Sequence, residues 1–410
     1  MKTILKLVLV LTLPSTAAVA QVAPAATGPR SLPFSKSVEY TFRYAQTEEH
    51  SSSQPDWATS SFSGSADYSG GPESLPFALS YTGGYTWTLM GPDYTSGLFQ
   101  HLLLSQGIIH RKWNLALSDD VSYRPQAPVT GFSGIPGIGE PIGAPPTTAP
   151  SDQLILTLNA HVVENAVQGA FEHNLNHALS FNAGGTSELL RYPDGNGLDT
   201  DTQMGNAGLT WRLNARNSLL TTYMYSFFSY PGANFSFQSN SAVFGFTRQW
   251  KRSFSTSASA GPQWTSSSSS SVVPSSLGVT ANATATYQFR TGSAGLTYSR
   301  EANGGAGYLF GAESDNVNAH LSKSFGKKLS IGVEGSYRRL SGLANNGVTT
   351  GKVAGGEINR HLGRYIELFA NYTATDQTSS SALPGNTLNG LLQVVGFGIS
   401  YTPRESHLGN

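Results

Sequence analysis

The stretch Asp194-Gly195-Asn196-Gly197-Leu198-Asp199-Thr200-Asp201 places four oxygen-bearing side chains close together: Asp194, Asn196, Asp199 and Asp201. Hard oxygen donors at short spacing are what Ca²⁺ takes, although the spacing is not that of an EF-hand and the closing glutamate is missing. Asp-Gly and Asn-Gly pairs are also ordinary loop formers, so the run reads equally as a calcium loop or as turn chemistry. The histidines are scattered, and His173 and His177 straddle a tight turn. A metal site needs converging imidazoles, which that placement does not supply. A Ser/His/acid hydrolase would need three groups meeting at one spot, and no motif marks such a meeting. The chain is therefore not expected to be an enzyme, and no cofactor beyond the calcium option is implied. A third set consists of Arg212, Glu334, Arg338, Glu367 and His320, each on the polar side of an alternating segment. Charged side chains turned into a pore set which solutes pass. The same residues could instead form a structural salt-bridge network.

The elements that position these residues are strands. From Leu277 to Phe289 every second residue is apolar, and Gly, Thr, Asn and Gln lie between them. A period of two gives one apolar and one polar face. Such segments recur from residue 37 to residue 402, among them 313–325, 328–339, 364–374 and 390–402. In 328–339, Leu329, Ile331, Val333 and Tyr337 oppose Ser330, Glu334, Ser336 and Arg338. Tight connections such as Asn214–Asn217 and Arg290–Gly292 alternate with looser ones such as Tyr192–Thr200 and Asp376–Asn389. Short turns alternating with long loops predict an all-β chain folded as a single closed antiparallel transmembrane β-barrel. About eighteen strands (16–18) are expected, with short periplasmic turns and longer extracellular loops. In lipid an open sheet edge is costly, so the sheet must close. Tyr and Trp near strand ends, among them Tyr192, Tyr230, Trp250, Trp264 and Tyr401, fit aromatic girdles.

Composition agrees with this reading. Charged residues make up only 12%, the formal net charge is zero and there is no cysteine. Nothing points to nucleic acid, and no disulfide framework is available. Lys2 and Lys6 precede a short apolar run and the small-residue site Ala18-Val19-Ala20. That order predicts a signal peptide over 1–20, cleaved before Gln21. A periplasmic tail over 21–36, a barrel over 37–402 and a C-terminal tail over 403–410 follow. The Pro/Gly-rich segment 124–150 cannot extend a sheet. It is an outer loop or, folded inward, a constriction. Residues 151–165 start with a period of two and could lengthen the sixth strand.

The last segment, VVGFGISY at 394–401, resembles the C-terminal assembly signal of bacterial outer-membrane β-barrel proteins. Gly396, Ile399 and Tyr401 fit the pattern. Val394 stands where a polar residue is usual, and a short tail follows Tyr401. The resemblance covers nearly the whole mature chain and is architectural, to barrels of porin size. It implies an outer-membrane location, lipid contact and folding by the barrel-assembly machinery. Porins are often homo-oligomers, but no interface is legible. The expected function is a channel for passive passage of small hydrophilic solutes. An outer-membrane pore of an exopolysaccharide or export pathway is an alternative. A soluble exported β-protein binding glycans is another, and it would bury the apolar faces between two sheets.

Overall fold

The computed structural model describes residues 37–52, 55–91, 96–126, 160–195, 197–269, 272–305, 309–343, 347–380, 389–403 and 406–407. The expected signal peptide, the tail over 21–36, Asn196 and most of the 124–150 segment lie outside the described residues.

Eighteen long strands follow one another, and each pairs antiparallel with the next. They run from β1 (Ser37–Ser51) to β18 (Gly390–Tyr401), and β18 pairs back onto β1. At this seam Phe42 faces Tyr401, Tyr44 faces Ile399 and Thr47 faces Gly396. The sheet is therefore a closed cylinder without a free edge, as lipid requires of strands. The other strands used below are β2 (Trp57–Gly70), β5 (Trp113–Gln126), β6 (Ala160–Asn174), β7 (Leu179–Arg191), β8 (Thr200–Arg212), β9 (Asn217–Tyr230) and β10 (Phe235–Lys251). Beyond them come β13 (Gly292–Asn303), β14 (Ala312–Phe325), β15 (Leu329–Gly342), β16 (Val348–His361) and β17 (Ile366–Ser379).

The apolar face looks outward. Leu277, Val279 and Tyr287 are exposed, whereas Thr280 between them is buried. The same holds for Val333 and Tyr337 against Ser336, and for Leu368 and Tyr372 against Thr373. A sandwich would show the reverse, so the soluble reading fails. This is a closed β-barrel with an apolar belt outside and a polar wall inside, the pattern of a barrel that crosses a membrane with its strands; no helix among the described residues is long and apolar enough to cross a membrane.

Two expectations need correction. Tyr192 and Tyr230 do not belong to a girdle. They are buried inside the mouth, because Tyr230 shares the inward parity of Phe228 on β9. The segment after Tyr401 is also not wholly a tail, since Ser406–His407 pair with Ser37–Val38 of β1. In addition, strands run past the boundaries that periodicity suggests: β17 reaches Ser379, beyond the 364–374 segment, and β15 reaches Gly342, beyond 328–339. Beyond the apolar belt both faces meet water, so the ladder continues while the hydrophobic period fades. There the outer face carries ion pairs: Arg191 with Asp201, Arg300 with Glu313 and Asp315, and Lys352 near Asp376.

Candidate functional site

The lumen wall is built by whichever parity of each strand opposes the lipid face. On β14 to β1 it carries a column of charges. Arg338 acts electrostatically on Glu334, and Glu334 acts on Glu357. Arg43 on β1 is in reach of Glu357 and Glu367, and its guanidinium lies 3.6 Å from the centre of the Phe369 ring. Glu367 also meets His361, with Nδ1 to Oε2 at 3.1 Å. His320 stands directly across the ladder from Glu334. Four of the five residues singled out from sequence thus share one wall. Arg212 stands apart, exposed at the last position of β8 beside a short turn.

Arg43 and Glu357 were missed by sequence reasoning, although the signal was present. Arg43 alternates with Phe42 and Tyr44, and Glu357 precedes outward-facing Ile358. Glu49 was missed for another reason: the apolar period of β1 ends before it. It is fully buried and faces Trp57 across the ladder.

The opposite wall is acidic in character. β6 and β7 turn Glu164, Glu172 and Glu188 inward, and neither strand has an inward Lys or Arg. On β5, Asp120 Oδ1 lies 2.8 Å from His101 Nε2 and accepts from that ring nitrogen when it carries the proton.

Above these walls the long-loop end narrows on apolar side chains. Phe228 and Tyr230 on β9 stack with Phe235 and Phe237 on β10, the closest pair having ring centres 4.5 Å apart. Phe310 meets Tyr230 edge-on at 5.3 Å. Val273 is buried with them, and Leu198, Met204, Val272 and Leu343 pack against the cluster. A contiguous second cluster joins Val162 and Leu190 of β6–β7 to Leu309, Ala312 and Leu340 of β13–β15. Those walls are not neighbours in the sheet, so the connection between β13 and β14 must reach across the mouth. Its base is fixed by the Tyr230 hydroxyl, which donates to Gly304 O at 2.9 Å, and by Leu343 N donating to Gly311 O at 3.1 Å. The packed aromatic and aliphatic side chains line one side of the entrance with apolar surface.

The acidic run falls at the same end, with its carboxylates turned to protein donors. Asp194 accepts from the His161 ring and from its backbone N–H. This side-chain hydrogen bond, the largest cause, holds the Asp194 carboxyl below its ordinary range. Asp199 accepts from Tyr192 N at 2.9 Å. Asp201 pairs with Arg191 on the outer face. The three described carboxylates point at three different partners. Among the described residues no three His, Asp or Glu side chains gather into a metal-binding group. Carboxylates committed to protein donors give melting scans that coincide with excess calcium and with a chelator, whereas a calcium loop gives a chelator-dependent drop in Tm; the pair of scans decides between the two.

No family model matches this sequence, and no curated protein matches it. Solved structures do resemble it in outline. OccK2 (OpdF) of Pseudomonas aeruginosa is 12% identical, with 91% of this chain and 98% of that one covered and a TM-score of 0.47. OccAB3 of Acinetobacter baumannii is 10% identical, with 90% and 99% covered and a TM-score of 0.48. OpdK of Pseudomonas aeruginosa, solved with vanillate, is also 10% identical, with 90% and 99% covered and a TM-score of 0.45.

Proposed function

We propose that the chain is a passive channel for small hydrophilic solutes. The observation that supports this most is the inner face of the barrel, where Ser, Thr, Asn, Glu and Arg line much of the wall while most large apolar side chains face out, the mouth clusters and Phe99, Phe369 and Leu392 excepted. Eighteen strands enclose enough space for an aqueous path. The apolar mouth and the charge column then act in series, the first limiting size and wetting, the second sorting by charge. Assembly fits the same scheme. β18 is the closing strand, and Gly396, Ile399 and Tyr401 serve as the signal by which the barrel-assembly machinery takes it up.

Purified, heat-modifiable protein in a planar lipid bilayer is expected to give discrete conductance steps. A correctly folded barrel that gives none would end the channel reading.

A further inference from the structure

The charged side chains of the lumen are not spread evenly round the barrel. β11 (Phe254–Ser267) and β12 (Ser276–Phe289) carry no Asp, Glu, Lys, Arg or His on either face. On the inner faces of β10, β13 and β14 the Asp, Glu, Lys and Arg residues are confined to positions near the strand ends, Lys251 and Glu301. Between those ends a row of neutral polar side chains runs across the ladder. Thr247 of β10 faces Ser257 of β11, which faces Thr284 of β12, then Thr297 of β13 and Asn318 of β14. Ser259 and Asn282 flank the row on the long-loop side, and Ser255 and Thr286 on the short-turn side. All five members of the row are partly exposed on the inner face, and among the described residues none is hydrogen-bonded to another side chain.

At about 4.8 Å between strands, the row extends over about 19 Å. Strands of such a barrel tilt by about 35–45°, so a row at right angles to them climbs the wall obliquely and runs partly along the pore axis. Each hydroxyl in it donates one hydrogen bond and accepts others, and the Asn318 amide does both. An alcohol group on a solute has the same two capacities. A solute with hydroxyls in series therefore exchanges water for wall one bond at a time, at little net change in free energy. An ion gains nothing comparable, because no unit charge stands in the row. The charges on the neighbouring wall are directed at one another, Arg338 at Glu334 and Arg43 at Glu357 and Glu367. The apolar side of the entrance acts in the same sense: stripping water from an ion costs far more than stripping it from a neutral hydroxylated solute.

We infer that the β10–β14 wall is a hydrogen-bonding track for uncharged polyhydroxylated solutes, with linear neutral saccharides as the class it fits. This rests on the channel reading and names what that channel passes. Maltotriose added to one side of a bilayer that holds the channel lowers the mean potassium chloride current saturably, with half-block at about 1–30 mM. Polyethylene glycol of equal mass, whose chain oxygens accept hydrogen bonds but donate none, lowers it without saturating. The double variant Thr284→Val/Thr297→Val, checked for heat-modifiability, raises the half-blocking concentration at least about five-fold and leaves the conductance without sugar unchanged. Ser257→Ala, which removes only an oxygen, raises it about two-fold and carries the test should the double variant not fold. Thr378→Val, on the outer face of β17, leaves it unchanged. Non-saturating block by maltotriose like that by polyethylene glycol, or an unchanged half-block in a folded track variant, overturns the inference and leaves the channel standing. Absence of steps from folded protein overturns both.

Discussion

Replacing Phe237, Leu309 and Phe310 together with alanine is expected to raise single-channel conductance by at least about two-fold, because the mouth then loses its dry constriction. Phe237 is 1% exposed and stacks on Phe228. Phe310 closes over Tyr230 and Phe235 from the facing loop, with ring centres 5.3 and 5.5 Å away. Leu309 is 2% exposed in the cluster that reaches the β6–β7 wall. Burial this complete on the inner face needs apolar partners, which Leu309 and Phe310 supply, and removing them opens the cluster to water. Each truncation of a buried Leu or Phe costs about 3 kcal/mol where the surroundings cannot collapse. The cost falls on the loops, since the eighteen-strand ladder is held by backbone hydrogen bonds beneath them. Heat-modifiability should therefore persist while conductance rises and the current grows noisier. Unchanged conductance in a variant that still folds would mean that solutes bypass this cluster.

The second large effect concerns closure. Gly398→Val is expected to cut the yield of folded barrel by about ten-fold or more, through strain at the seam that lipid cannot relieve by opening an edge. Gly398 sits on the inward face of β18 between Ala45 of β1 and Phe369 of β17. A Cβ there would lie 2.2 Å from the Tyr44 carbonyl oxygen and 2.3 Å from the Phe369 ring. The ring cannot retreat freely, because the Arg43 guanidinium covers it. Overpacking costs about 1–3 kcal/mol where side chains can adjust, and more where backbone must move. Gly351→Ala is the control: it lies on the inward face of β16, where an added Cβ meets nothing within 4 Å. Refolding into detergent micelles, read by the gel shift of unheated protein, separates the two. Equal yields would show that the seam tolerates a side chain and that the glycine has another purpose.

Much of this molecule could be read before its structure. The strand count, the outward Leu, Val, Phe and Tyr, the antiparallel order and the alternation of short and long connections all follow from periodicity two. That period persists wherever one face meets hydrocarbon and the other does not. The orientation of Glu334, Arg338, Glu367 and His320 came from the same parity. It failed at Glu49 and along the end of β17, where the strand has left the lipid and both faces are polar.

What only the tertiary structure decided depends on residues far apart in sequence. Val162 and Leu309 share one apolar cluster, and Arg43 lies within electrostatic reach of Glu357 and Glu367, although each set lies more than a hundred residues apart. Parity on β9 turns Tyr230 inward and Tyr223 outward, but nothing local marks Tyr230 as packed beneath a loop rather than facing the lumen. The distinction appears once the strand is tilted into a cylinder and a loop from the other side folds over it. A one-dimensional pattern reports the solvent on each side of a strand. It does not report which other strand, through the curvature of the closed sheet, supplies the partner.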